Sequence, residues 1–94
     1  METQMQKRDC GRYTIVELAE HLQDYKKTMR VSPMSDYFKS VIDCLLWNLR
    51  RLGPDDSDIG WTTLRGARRM TNLEGTEEDK QIFAEIMMLM EKWL

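Results

Sequence analysis

The chain has 94 residues with 14 basic and 16 acidic side chains, which gives a formal net charge of −2 at pH 7. A chain of this length forms one small domain with a single hydrophobic core. The slightly acidic balance argues against a general nucleic-acid or membrane binder, because such proteins usually carry net positive charge.

The N-terminal stretch and the two cysteines predict a cytoplasmic protein. No apolar run is long enough to cross a membrane, and the polar residues 1–12 lack the apolar segment of a secretory signal. Cys10 and Cys44 lie far apart, without a CxxC pair or a Cys/His cluster, so we expect two reduced thiols and no zinc site. Residues 1–12 also lack periodicity, which predicts a flexible arm followed by one helical domain over 13–94.

The first predicted helix begins at Thr14, because Thr14 and Glu17 have the spacing of a capping box. It extends to about Met29 and carries a moderate apolar stripe of Ile15, Leu18, Ala19, Leu22, Tyr25 and Met29. The only histidine, His21, lies beside this stripe. A histidine at the solvent edge is the favoured interpretation, because no second ligand or nucleophile is suggested near it.

The strongest helical signal covers residues 33–52, the predicted central helix. Ser32 is the expected side-chain cap, Pro33 fits the first turn, and Gly53 and Pro54 mark the end. Burial of so long a stripe requires at least two further helices. The apolar stripe consists of Met34, Tyr37, Phe38, Val41, Ile42, Leu45, Leu46, Leu49 and Leu52.

Trp47 falls almost opposite the centre of that stripe when about 100° is added per residue. An exposed tryptophan on a charged helical face is unusual, and tryptophan is enriched at binding hot spots. One interpretation is that Trp47, with Arg50 and Arg51, anchors a partner or a second copy of the chain. The alternative is that the N-terminal arm or the helix that carries Trp61 covers it.

The third predicted helix runs from residue 58 or 59 to 72 and should be the least stable, because Gly60 and Gly66 lower helix propensity. Its sparse apolar residues are Ile59, Trp61, Leu64, Ala67 and either Met70 or Leu73. Three acids before it, Asp55, Asp56 and Asp58, fit helix capping better than a calcium loop. We name Arg65, Arg68 and Arg69, which share one side of this helix, the arginine face. It is either a solvated surface or a contact for phosphate.

A turn over residues 73–75 leads to a fourth helix that Thr76 caps, with Glu77, Glu78 and Asp79 in its first turn. The pattern therefore predicts an all-α fold: a small bundle of four helices, or five with a short extra turn, around the central helix 33–52. Nucleophile elbows, phosphate-binding glycine loops and HExxH motifs are all missing from the sequence. We therefore expect neither an enzyme nor a cofactor-binding protein. The alternative function considered is a small RNA-binding domain that uses the arginine face.

The order and spacing of several short pieces resemble the C proteins of orthoparamyxoviruses, especially the measles-like branch. The pieces are Leu18-Ala19, Leu22, Asp24, Lys27, Met29, Ser32-Pro33, Ser40-Val41-Ile42, Arg50-Arg51-Leu52 and Trp61. Glu77-Glu78 and the apolar last helix agree more loosely. Two departures are a shorter connection between the first two helices and a slightly acidic charge where family members are often basic.

This resemblance implies a non-structural accessory protein with a helical C-terminal domain, acting in the host cell cytoplasm. Proteins of that family regulate viral RNA synthesis through the polymerase complex and antagonise interferon induction or signalling. In the respirovirus branch they also bind a STAT transcription factor and a host budding adaptor. No binding motif in this sequence allows those partners to be assigned to individual residues.

Overall fold

The structure, a computed structural model, describes residues 9–10, 13–51 and 57–91, with side chains over 14–51 and 62–91. A pair of two-residue strands, β1 (Asp9–Cys10) and β2 (Tyr13–Thr14), is antiparallel and leads into the first helix. This pair was not predicted, and the rest of the proposed arm over residues 1–12 lies outside the described residues. The helices that follow are α1 (Ile15–Thr28), α2 (Ser35–Arg51), α3 (Ser57–Glu74) and α4 (Glu77–Glu91).

The all-α prediction is confirmed, with four helices in the described part of the chain. Each helix packs against the next, and α4 returns to pack against α1. One apolar cluster fills the space between them, and α2 contributes the most members. The large side chains of this cluster that are completely or almost completely buried are Ile15, Leu18, Leu22, Phe38, Ile42, Leu45, Leu49, Leu64, Ile82, Ile86 and Met90. Among the described residues, no helix is both long and apolar enough to cross a membrane.

The predicted capping box at the start of α1 is confirmed. The backbone N–H of Glu17 donates to the Thr14 hydroxyl at 3.2 Å, and the backbone N–H of Thr14 donates to the Glu17 carboxylate at 3.1 Å. Each side chain thus satisfies a donor that the first turn leaves without a helical partner.

The start predicted for the central helix is wrong by two residues. Residues 33–34 form a turn, in which the Ser35 N–H donates to the Ser32 carbonyl at 3.1 Å, and α2 begins at Ser35. The Ser32 hydroxyl, expected to cap the helix, makes no hydrogen bond of ordinary length. Leu52 lies outside the described residues, so the structure gives α2 as far as Arg51. Tyr37, expected in the core, lies partly exposed at the edge of the stripe.

A buried carboxylate links the start of α4 to the start of α2. Asp79 is 0% exposed; its Oδ2 accepts from the Thr76 N–H at 2.8 Å and the Thr76 hydroxyl at 3.0 Å. Its Oδ1 accepts from the Met34 N–H at 3.2 Å, directly before α2. Burial raises the pKa of Asp79, but the nearby Ser32 hydroxyl and the hydrogen bonds from Thr76 and Met34 outweigh burial, and the net pKa is lowered. The charged form is thus favoured inside the protein.

The apolar stripe of α3 differs from the prediction at its C-terminal end. Leu64 and Ala67 are buried as expected, but Met70 and Leu73 are exposed and Thr71 takes the next core position. Thr71 satisfies its hydroxyl internally by donating to the Ala67 carbonyl at 2.6 Å. The helix also continues to Glu74, two residues beyond its predicted end. Asp55, Asp56 and the side chains at 58–61 lie outside the described residues, so the predicted capping acids and the predicted burial of Ile59 and Trp61 stay predictions.

Two glycines of α3 and the following turn should respond to alanine in opposite directions. An added Cβ at Gly66 meets no atom within 4 Å, so Gly66→Ala should raise the free energy of unfolding by up to about 1 kcal/mol through helix propensity. An added Cβ at Gly75 would lie 2.5 Å from the Thr71 carbonyl oxygen, so Gly75→Ala should lower the free energy of unfolding by about 1–3 kcal/mol. Urea denaturation of both variants tests the pair, and equal effects would contradict the described turn.

Candidate interaction surfaces

Trp47 lies on the outer side of α2, as its predicted position required. Its side chain is 53% exposed, whereas the neighbouring Leu45, Leu46 and Leu49 point into the core. The guanidinium carbon of Arg51 lies 4.8 Å from the centre of the indole ring, within the range of a cation–π contact. The alternative, that the N-terminal arm or the helix carrying Trp61 covers Trp47, involves residues and side chains outside the described part of the chain, so it stays open. The role of Trp47 as an anchor stays a prediction.

The residues around Trp47 give this end of α2 a mixed polar and aromatic surface. Arg50 and Arg51 are both exposed beside it. Cys44 is a free, exposed cysteine one turn earlier, and its sulfur lies 3.8 Å from the Thr63 hydroxyl of α3. The predicted trio of Trp47, Arg50 and Arg51 thus forms one continuous patch at the C-terminal end of α2, which we call the Trp47 face.

The structure also brings the arginine face together on one exposed side of α3. Arg65, Arg68 and Arg69 line a common hollow of about 500 Å³ with Asn72 and Leu73. Leu73 is 71% exposed there, although the sequence offered it as a core residue. Arg65 makes a long hydrogen bond of 3.4 Å to the Thr62 hydroxyl. The arginine face is therefore a basic surface with an apolar side chain at its edge.

A groove between α3 and α4 continues from the arginine face. Its volume is about 380 Å³, and it shares Arg68 and Asn72 with the hollow described above. The α4 side combines apolar side chains with Lys80 and Glu91; Met88 is 63% exposed and Phe83 is buried. We call this the α3–α4 groove. Its α4 lining consists of Lys80, Phe83, Ala84, Met87, Met88 and Glu91.

Sequence reasoning missed a polar network that joins α1 to α4. The Tyr25 hydroxyl, expected only as part of an apolar stripe, donates to the Glu85 carboxylate at 2.7 Å. Arg30 bonds both Glu85 and Glu78 at 2.8 Å. Burial, followed by the hydrogen bond to Glu85, raises the pKa of the Tyr25 hydroxyl well above its usual range. Tyr25 therefore stays protonated at neutral pH and acts here as a hydrogen-bond donor.

His21 and Tyr25 line a second hollow of about 330 Å³ between α1 and α4, with Glu85, Met88 and Leu89. His21 is exposed at its edge, as the sequence predicted. Among the described residues, no group of three or more His, Cys, Asp or Glu side chains is placed to hold a metal ion.

The geometry therefore offers three surfaces: the Trp47 face, the arginine face with the α3–α4 groove, and the hollow beside Tyr25. The first two contain every site residue that the sequence singled out. Comparisons of the chain with protein-family models, curated proteins and solved structures returned no match.

Proposed function

We propose that this chain acts through protein–protein contacts, as a viral accessory protein of the paramyxovirus C type. In this proposal it regulates viral RNA synthesis and antagonises host interferon responses from the host cell cytoplasm. Its partners are the viral polymerase complex, host interferon-pathway or budding proteins, or a second copy of the chain. It is not proposed to be an enzyme and needs no cofactor.

The observation that carries the proposal is the exposure of Trp47. More than half of this large side chain faces solvent, and Arg51 lies against its ring. The solvent-exposed part of the indole adds nothing to the core, whereas tryptophan and arginine are enriched among the residues that dominate binding energy at protein interfaces. Both side chains project from the same helix, so their backbone is already ordered before a partner covers them, which lowers the entropy lost on binding.

The viral part of the proposal is supported by the sequence resemblance alone. The resembling pieces are short and are spread along α1 and α2 as far as Trp61, and their order and spacing carry the resemblance. A helical domain with an exposed binding surface is compatible with that family, although the same fold class serves many functions. The source gene offers an independent check, because C proteins are encoded in a frame that overlaps the phosphoprotein gene.

Replacement of Trp47 by alanine should abolish function while the fold is retained. In transfected cells, the tagged full chain should recover polymerase components or an interferon-pathway protein and lower an interferon reporter. Trp47→Ala should lose both effects, with stability changed by no more than about 1 kcal/mol. Val31→Ala is the matched control, because Val31 is 88% exposed and lies outside the Trp47 face. Full activity of Trp47→Ala would contradict the proposed anchor.

The arginine face favours a second candidate function, a small RNA-binding domain. Its three guanidinium groups form no ion pair with a carboxylate in the part of the chain that the structure describes. If they bind phosphate, RNA affinity should fall steeply with salt and disappear when Arg65, Arg68 and Arg69 become alanine. Binding that is absent, or independent of salt, for both single-stranded and duplex RNA would exclude this function.

A further inference from the structure

We propose that the arginine face and the α3–α4 groove together form a docking site for an acidic amphipathic helix of a partner protein. This inference rests on the proposed function, because it supplies a second contact surface for a protein that acts by binding. It adds the chemistry of the partner: carboxylates on one side of a helix and apolar side chains on the other.

The first support is local charge. The whole chain is slightly acidic, yet Arg65, Arg68 and Arg69 lie together without an ion pair to any described carboxylate. Arg30, by contrast, is held between two glutamates at 2.8 Å. Like charges at this helical spacing repel one another. Partner carboxylates would remove that repulsion, and arginine binds a carboxylate through two parallel hydrogen bonds.

The second support is the apolar surface that adjoins the arginines. Leu73 protrudes beside them, and the groove leads on from Arg68 and Asn72 to Met87 and Met88. Methionine adapts its shape to different apolar partners. A basic rim along an apolar groove is the surface that an amphipathic helix recognises, with apolar anchors in the groove and charged residues at the rim.

These features favour a peptide helix over RNA. RNA-binding surfaces usually combine basic side chains with exposed aromatic rings on which bases stack. The aromatic side chain that lines the α3–α4 groove is Phe83, and it is buried. A phosphate backbone offers no apolar cover for the exposed side chains of Leu73 and Met88. The apolar side of a helix would remove them from water, which is favourable.

The test measures binding of a fluorescein-labelled designed helix to the full chain. The probe carries glutamates along one side and leucines along the other. One control peptide replaces the glutamates with lysine, and a second replaces the leucines with serine. We expect the acidic amphipathic probe to bind and both control peptides to bind at least about tenfold more weakly, because the glutamates and the leucines of the probe both contribute to its affinity.

Chain variants locate the site. Arg65→Gln/Arg68→Gln/Arg69→Gln should weaken probe binding about tenfold, and Leu73→Ala several-fold. The matched control removes three positive charges that lie outside both the Trp47 face and the α3–α4 groove: Lys26→Gln/Lys27→Gln/Lys39→Gln should leave the affinity unchanged. Equal weakening by the two triple variants would show a general charge effect and overturn the proposal.

Three further results would overturn the inference. These are no probe binding, undiminished binding of the serine control peptide, and tight binding of labelled RNA that the arginine triple variant abolishes. The proposed function is judged separately, because Trp47→Ala should not change probe binding. Probe failure with a functional loss in Trp47→Ala would reject this docking site and leave the Trp47 anchor standing. Probe binding together with full function in Trp47→Ala would support this docking site and reject the Trp47 anchor.

Discussion

Replacement of Leu45 by alanine is expected to lower the free energy of unfolding by about 2–5 kcal/mol, through lost apolar transfer energy and the cavity left behind. Leu45 lies in the middle of α2 and is 1% exposed within the core cluster. The total stability of a small domain is only about 5–15 kcal/mol, so this one change removes much of it. Urea denaturation followed by circular dichroism measures the loss.

Leu73→Ala is the matched control for this prediction, because it deletes the same atoms from a side chain that is 71% exposed. We expect its free energy of unfolding to change by no more than about 0.5 kcal/mol. A loss below about 1 kcal/mol for Leu45→Ala would mean that the side chain is not in the core and that the rotational phase of α2 is wrong.

Replacement of Asp79 by alanine should lower the free energy of unfolding by about 2–4 kcal/mol. The change removes the side-chain partner of the Thr76 N–H at the start of α4 and of the Met34 N–H before α2. Both donors are then left without their acceptor. Glu77→Ala is the control, because Glu77 lies in the same first turn but is exposed and should change stability by less than about 0.5 kcal/mol.

The same carboxylate predicts a pH dependence of stability. Because the folded-state pKa of Asp79 is lowered, the unfolded chain takes up this proton first as the pH falls. The contribution of Asp79 is complete above the ordinary aspartate pKa and is lost as the pH falls through the lower folded pKa. Between neutral pH and about pH 3, the wild-type chain should therefore lose more stability than Asp79→Ala. An equal loss in both would contradict the described hydrogen bonds.

The helices were predictable because their signals are local. The Thr14–Glu17 capping box and the Thr76 cap each lie within one turn, and the stripe on α2 repeats often enough to fix its rotational phase. That phase also placed Trp47 outside the core. Propensity, capping and periodicity agreed in these segments, and such agreement is what makes a sequence specify one structure.

The errors arose where a distant residue or a polar side chain decides the outcome. The Met34 N–H is paired with Asp79, which lies 45 residues away, and no local pattern connects the start of α2 to α4. Thr71 enters the core because its hydroxyl bonds the Ala67 carbonyl, whereas a stripe counted from apolar residues alone selects Met70 or Leu73. For the candidate surfaces, the sequence identified the arginines but not the groove, because a groove depends on how α3 packs against α4.

The central claim is that the chain works by binding a protein through Trp47. The most direct measurement is the dissociation constant between the purified full chain and the partner recovered from cells, for wild type and Trp47→Ala. The account predicts that the variant binds at least about 30-fold more weakly, equivalent to about 2 kcal/mol, with its thermal stability retained. An unchanged dissociation constant in a stably folded variant would contradict the claim.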